Sequence, residues 1–481
     1  MTRHVLSIDL GTSGVKLGVV NDRLETLTAA SAHYPTYVDQ IDMAEQCPDE
    51  WISAITQAWE KVREARPDIR IDAIALTAQM PTLVELDDEG RLIGRAVIWQ
   101  DSRADELVDE RLNAEERDRI NEIAGTPIDG RYLIPMYLRR RRDGLPEPTA
   151  VLSAKDYLFH VLTGKKLTDP STASGFGNYD LSTQHFSDEL NDLWGFNARL
   201  LPTVEASSSW SVLAPSGSVV LSGLEAGQTP VVLGSADSVA AFHFVERVFG
   251  SAITVIDGSS TAILGTVEER NNCYRKSLVT PLVDGARLGI ELDLLATGSS
   301  ISWLAQLFGR SPSDLETLAL AVETKAANPI LFMPYLAGGE QGALWRTDLS
   351  GNISNLHLGS SQGDIAQALF EGIAFEILRC LEVISSATTP PTVVWLVSSV
   401  NGGLLPALVS VLGHNPVITV PGVSPSLLGA AMIALEVLHE KPNFTSRLDS
   451  WASAPLELDL DYIAALRAKR ARYLATQERA T

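Results

Sequence analysis

At 481 residues the chain is about three times the ~150-residue length of an ordinary domain, so at least two packed domains with ample core are expected. Lys and Arg number 38 against 60 Asp and Glu, and the resulting formal charge of −22 repels phosphate backbones and anionic lipid surfaces, which disfavours nucleic acid and membranes as partners. Cys47, Cys273 and Cys380 stand singly with no CxxC spacing, which argues against a disulfide framework or a zinc site and fits a reducing compartment.

The opening MTRHVLSIDLGTSG has no apolar leader region, and no window approaches ~18 uninterrupted apolar residues, so a cytoplasmic protein is expected. The chain begins with a strand over His4 to Leu10, turn chemistry at Gly11 to Gly14, and a second strand over Val15 to Val20. Pro48, two acids, and an apolar stripe of Trp51, Ile52, Ile55, Trp59 and Val62 predict a helix. Further strands are expected at Ile71 to Leu76, Thr82 to Leu86 and Ala96 to Trp99. Residues from about Asp101 to Phe196 read as helix-rich, with the four arginines Arg139 to Arg142 serving as basic side chains at a helix C-terminus rather than as an anion site.

A strand signal returns at Pro230 to Leu233, followed by a helix expected from Val239. The second half predicts strands at Leu288 to Leu295, Pro329 to Met333, Val393 to Val397 and Val417 to Val420, interleaved with helices including Asp364 to Ile384 and Pro425 to His439. Within that long helix Glu371 is expected to be exposed or cap-like and Cys380 to lie in the core; His243 reads as a packed imidazole. Ile8-Asp9-Leu10-Gly11-Thr12-Ser13-Gly14 is echoed by Ile256-Asp257-Gly258-Ser259-Ser260-Thr261, each between β-branched strands, which suggests a duplicated α/β domain with its boundary near Val245 to Gly250.

A strand ending in Asp9 and turning through Gly11, Thr12 and Ser13 offers backbone N–H groups and hydroxyls to a phosphate, and a carboxylate to a divalent metal; the alternative is a plain hairpin. The second copy favours phosphate. Neither GxxxxGK[ST] nor a helix-opening GxGxxG occurs, so the two commonest nucleotide loops are absent.

An ordered series of motifs spans nearly the whole chain: Asp9-Leu-Gly-Thr-Ser-Gly-Val-Lys16, Glu45-Gln46-x-Pro48-x-x-Trp51, Gln79-Met80, Trp99-Gln-Asp-Ser-Arg103, Lys155-Asp-Tyr157, Gly234-Ser-Ala-Asp237, Gly258-Ser-Ser-Thr261, Pro334 to Glu340, Glu371-Gly372 and Gly429-Ala-Ala431. In this series the chain resembles the FGGY family of carbohydrate kinases, within the actin/hexokinase/Hsp70-like superfamily, and most closely its xylulokinase branch. The resemblance implies an α/β protein of two actin-like (ribonuclease H-like) ATPase domains, residues 1–247 for sugar and 248–481 for nucleotide, with a catalytic cleft between them. It implies ATP and Mg²⁺ as donor and metal, Asp237 as general base, and Asp9 as metal ligand. Gly11, Thr12, Ser13, Lys16, Gly258, Ser259 and Ser260 would surround the phosphates, with Ser399 and Asn401 near the adenine. Gln79, Met80, Trp99, Asp101, Arg103 and Asp237 would contact the sugar, a pentulose such as D-xylulose; other ketoses, polyols and sugar acids stay open, and a homodimer is the family expectation.

The pattern departs in both halves. Pro81 stands where xylulokinases place a histidine that reaches the sugar, and Ser238 replaces an asparagine after the base. The Gly-rich adenine turn is replaced by Ser398-Ser-Val-Asn-Gly-Gly403, and Asn355 stands where the family often has Gly. A weak sugar-binding regulator on the same scaffold is the competing reading, and an Hsp70-like ATPase a more remote one.

Overall fold

The computed structural model describes all residues except 1, 41, 251, 268–276, 323–327, 338, 347, 388–391, 397–402, 414–416, 421–423, 440–455 and 480–481. Two compact units emerge: residues 1–244 with 279–288 and 424–445, and residues 245–278 with 289–423 and 446–481. The division falls inside the helix Asp237–Phe249.

The first unit is built on a six-stranded sheet of β1 (His4–Leu10), β2 (Gly14–Asn21), β3 (Thr26–His33), β4 (Ala73–Ala78), β5 (Trp210–Val212) and β6 (Pro230–Ala236), in the order β5-β6-β4-β1-β2-β3. β1, β4 and β6 are parallel neighbours, whereas β2 and β3 form an antiparallel meander on β1. β4 is buried along its whole length, as a central strand covered on both faces must be. The helix Pro48–Ala65 lays Trp51, Ile55, Trp59 and Val62 into the core, following the stripe read from sequence. From the far end of the chain, the helix Pro425–Val437 joins this unit, and Gly429 explains its close approach: a Cβ there would lie 1.8 Å from the Ala240 carbonyl oxygen.

The second unit repeats the pattern. β7 (Ile253–Asp257) and β8 (Thr261–Val267) form an antiparallel hairpin; β9 (Leu288–Leu294) flanks β8, and β10 (Val393–Leu396) and β11 (Val417–Val420) continue parallel beside β7. Each unit thus opens on a hairpin whose first strand gains a parallel partner on its other side.

Two expectations are corrected. Glu371 is neither exposed nor a cap: it is 1% exposed in the helix Gln362–Ala387, accepting hydrogen bonds from Tyr462 Oη at 2.7 Å and Gln367 Nε2 at 2.8 Å and contacting Lys469 Nζ. The covering helix Leu460–Arg479 lies some 90 residues away in sequence, beyond any local pattern. The helix expected from Val239 begins instead at Asp237. The arginine run closes the helix Leu133–Arg142 as expected, and two of its members do more: Arg140 and Arg141 hold buried Glu85 at 2.6 and 2.7 Å. Cys380 and His243 are buried, and Asn355 takes the left-handed φ of 62° that Asn tolerates best after Gly.

Candidate functional site

The carboxyl ends of three parallel neighbours bring the expected residues of the first unit together. Leu10 pairs with Ala78, and Ala78 with Ala236, so Asp9 on β1, Gln79 just past β4 and Asp237 just past β6 share one edge of the sheet. Ligands of open α/β sheets gather at this edge, because strands end there and helices begin. Gln79 is tied in by its own N–H, which donates to the Leu10 carbonyl at 2.8 Å.

Asp237 reaches this edge through a bulge. The register of β6 on β4 shifts between Val232 and Ser235. In between, the Leu233 and Gly234 N–H groups turn to the Ser209 and Ser207 carbonyls at 2.8 and 2.9 Å. Gly234 sits at φ +70°, its α-carbon against the Leu76 carbonyl. The strand resumes for Ser235, whose carbonyl accepts from Thr77 Oγ1 at 2.9 Å, and Ala236, after which Asp237 opens a helix, half-buried, with Oδ1 accepting the Ser238 N–H at 2.9 Å.

Asp9 is buried, and burial pushes its carboxyl up from the ordinary range, opposed by a hydrogen bond from Ser426 Oγ at 2.7 Å and by Lys16 across the hairpin. The turn after it is held by Gly11 N–H to the Gly14 carbonyl at 3.1 Å, by Tyr34 Oη on the Gly11 carbonyl, and by Gln46 Nε2 on the Thr12 carbonyl at 2.7 Å. Ser13 and the Lys16 side chain are exposed. Trp99 donates its indole N–H to Thr12 Oγ1 at 3.0 Å, so the turn expected to hold phosphate and the expected sugar wall are directly joined.

Gln79 is 1% exposed; its Nε2 donates to Gln46 Oε1 at 2.9 Å, and its Oε1 is buried with no hydrogen-bond partner. Met80 lies with its methyl against Gly175. Asp101 and Arg103 are differently placed: Asp101 accepts the Ala44 N–H at 2.9 Å and the Arg103 guanidinium at 2.7 Å, and Arg103 also holds Glu45 at 2.7 Å. Burial works against the Arg103 charge, but these carboxylates outweigh it and raise its pKa. With Glu45, Met136 and Arg139 they line a pocket of about 240 Å³.

In the second unit the Gly258 N–H donates to the Ser260 carbonyl at 2.9 Å, and the Ser259 carbonyl accepts the Thr297 and Ser299 N–H groups at 3.2 and 2.9 Å. This seats the turn on the start of the helix Gly298–Leu307, with Thr261 and Thr297 hydroxyls 2.8 Å apart. Ser399 and Asn401, expected near the adenine, lie outside the described residues.

Three side chains were missed by sequence reasoning as parts of the site. Gln46 joins Thr12, Gln79 and Trp51, and its signal was the Glu45-Gln46-x-Pro48-x-x-Trp51 motif. Ser426 reaches Asp9 from 417 positions away, with no local signal. Asp257, buried with Oδ2 accepting the Trp395 indole at 3.3 Å, holds in the second hairpin the place of Asp9 in the first, which the internal repeat could have flagged.

Residues 4–243 match the N-terminal domain of the FGGY family of carbohydrate kinases, and residues 254–436 match its C-terminal domain. A gluconokinase of Bacillus subtilis is 25% identical, covering 81% of this chain and 79% of its own length; a xylulose kinase of the same organism is 27% identical (83% and 81%), and a glycerol kinase of Paenarthrobacter aurescens 27% (90% and 89%). Among solved structures, a ligand-bound xylulose kinase and a gluconate kinase from Lactobacillus acidophilus each superpose with a TM-score of 0.87 at 20% identity, over 99% of this chain and 98% of theirs. With both family domains matched in order on a two-domain α/β fold, the chain belongs to the FGGY family of carbohydrate kinases.

Proposed function

We propose that this kinase transfers the γ-phosphoryl group of ATP to a hydroxyl of a neutral pentulose such as D-xylulose, with Asp237 as general base. The observation that carries the reading is the shared carboxyl edge of β1, β4 and β6, where Asp9, Gln79 and Asp237 meet. The sugar oxygen bonds to the γ-phosphorus as the bond to the β,γ-bridging oxygen breaks; the hydroxyl proton passes to an Asp237 carboxylate oxygen, leaving ADP and a sugar phosphate. Gln79 Oε1, a buried acceptor lacking a donor, would take a sugar hydroxyl hydrogen, and Trp99 and Met80 supply the apolar wall.

The turns at Gly11, Thr12, Ser13 and Lys16 and at Gly258, Ser259 and Ser260 are the proposed phosphate contacts, each with N–H groups and hydroxyls at a strand junction. Among the described residues no cluster of three or more His, Cys, Asp or Glu side chains is placed to hold a metal. Mg²⁺ ordinarily takes one or two carboxylates and completes its shell with water and phosphate, so Asp9, a buried carboxyl at the turn, fits that role: burial raises its pKa, and a bound cation would offset that cost of the charged form. The ion would neutralise charge on the phosphates.

A sugar acid such as gluconate is the second reading, favoured by the gluconokinase relatives, and Pro81 leaves it open along with other ketoses and polyols. Against it, the Arg103 guanidinium is already shared by Asp101 and Glu45. ADP release with Mg-ATP across D-xylulose, D-ribulose, D-gluconate and glycerol tests both. Turnover of a pentulose that vanishes in Asp237→Ala is expected; turnover of gluconate alone selects the second reading, and an active Asp237→Ala removes the base.

A further inference from the structure

The Lys155-Asp-Tyr157 motif is buried, and it leads straight to the strand that ends just before Asp237. β5 pairs with β6 only through Pro230, Val231 and Val232, so beyond that point β6 has no strand neighbour on that side among the described residues. Its inward N–H groups there would be orphaned, which is costly in a buried position. The Leu233 and Gly234 N–H groups find the Ser209 and Ser207 carbonyls, and the Ala236 N–H finds Ser171 Oγ at 3.0 Å.

Both of the last two catches converge on Asp169. Ser171 Oγ donates to Asp169 Oδ2 at 2.6 Å, and Ser207 Oγ donates to the same oxygen at 3.2 Å. Asp169 Oδ1 accepts Thr172 Oγ1 at 2.6 Å and lies 3.1 Å from Lys155 Nζ, which also lies 3.3 Å from Asp156. Lys155, Asp156, Asp169, Ser171 and Ser207 are all at most 1% exposed. A buried carboxylate balanced by a buried ammonium and filled with hydroxyl donors is rigid, since every alternative leaves a polar group unpaired.

We infer that Asp169 and Ser171, charge-balanced by Lys155, are positioning residues that clamp the end of β6 through the Ala236 N–H and so fix the carboxylate of the next residue, Asp237. The inference rests on the reading of Asp237 as base. Ser171→Ala removes the acceptor for Ala236; Ser171→Thr restores a hydroxyl; Thr172→Val removes one donor from Asp169 Oδ1 but leaves the Lys155 ion pair and the link from Oδ2 through Ser171 to Ala236 in place.

With Mg-ATP and whichever of D-xylulose, D-gluconate or glycerol is turned over, Ser171→Ala is expected to lower kcat roughly tenfold to a hundredfold with KM for Mg-ATP within about twofold, because a displacement of ~1 Å at a reacting group costs rates of this order. Ser171→Thr recovers most of kcat, Thr172→Val keeps it, and amide exchange in the peptide covering 230–241 quickens in Ser171→Ala alone. A Ser171→Ala enzyme with parental kcat overturns the inference, as does an equal loss in Thr172→Val, the mark of a merely structural effect. If Ser171→Ala does not fold, Ser171→Cys, a longer and weaker acceptor, carries the same comparison. Asp237→Asn is run in parallel: if it stays active the base reading fails by itself, and exchange at the β6 end alone decides the clamp.

Discussion

Replacing Gly234 by alanine should be among the most damaging one-carbon changes in the first unit. The added Cβ would sit 1.7 Å from the Leu76 carbonyl oxygen, 1.3 Å inside the 3.0 Å floor that real Cβ atoms respect, at a φ of +70°. The backbone conformation alone costs about 1 kcal/mol for a residue bearing a Cβ. Leu76 lies in β4, central and buried, so the clash is relieved only by prising β6 from β4. That movement strains the Ser235 and Ala236 pairings and the Thr77 Oγ1 bond to the Ser235 carbonyl, each worth roughly 0.5–1.5 kcal/mol. A total loss of about 3–5 kcal/mol is expected from urea unfolding of the first unit, together with loss of kinase activity because Asp237 follows three residues later. Gly227→Ala is the control: its φ is +77° with nothing within 4 Å, so it should lose only about 1 kcal/mol. Equal, small losses in both variants would refute the argument that close approach, rather than the φ angle, demands glycine at 234.

Lys469→Met leaves Glu371 buried with its cation gone and should cost about 3–5 kcal/mol by urea unfolding, while adding Glu371→Gln should recover most of it; equal stability of the single and double variants would contradict this. Glu340 is raised to about 7 from 4.5, chiefly by burial and next by the charge of Glu376. The folded protein therefore keeps this proton between about pH 4.5 and 7 where the unfolded chain has lost it, so stability falls as pH rises through that window. Glu340→Gln should flatten that slope, by on the order of 3 kcal/mol between pH 4.5 and 8, and an unchanged pH profile of Tm would count against it. Trp99→Phe removes the 3.0 Å bond to Thr12 Oγ1 and should raise KM for the sugar about tenfold with the fold intact; an unchanged KM would remove Trp99 from the sugar wall.

The elements were largely legible because their patterns are local. The β1–β2 hairpin, the Pro48 helix with its tryptophans, and the repeat of Asp9-x-Gly at Asp257-Gly declare themselves in short windows, and the ordered motifs carry the family. Short-range signals also place Asp237 at a strand-to-helix junction, though not the bulge that aims it: Gly234 reads as ordinary turn chemistry until Leu76 is beside it.

Glu371 and the arginine run mark the limit of that reading. A glutamate on an amphipathic helix is exposed by default, and only the packing of the Leu460–Arg479 helix buries it against Lys469; four arginines at a helix end look solvated until Glu85 appears beneath two of them. The sequence by itself determined the α/β class and the paired hairpins, since these follow from periodicity and turn chemistry, and its ordered motifs carried the family. Only the tertiary structure decided the company those residues keep: Ser426 on Asp9, Gln46 on Thr12 and Gln79, and Asp169 gathering Ser171 and Ser207 behind Asp237. A hydrogen bond needs a partner within ~3 Å, and folding draws that partner from anywhere in the chain.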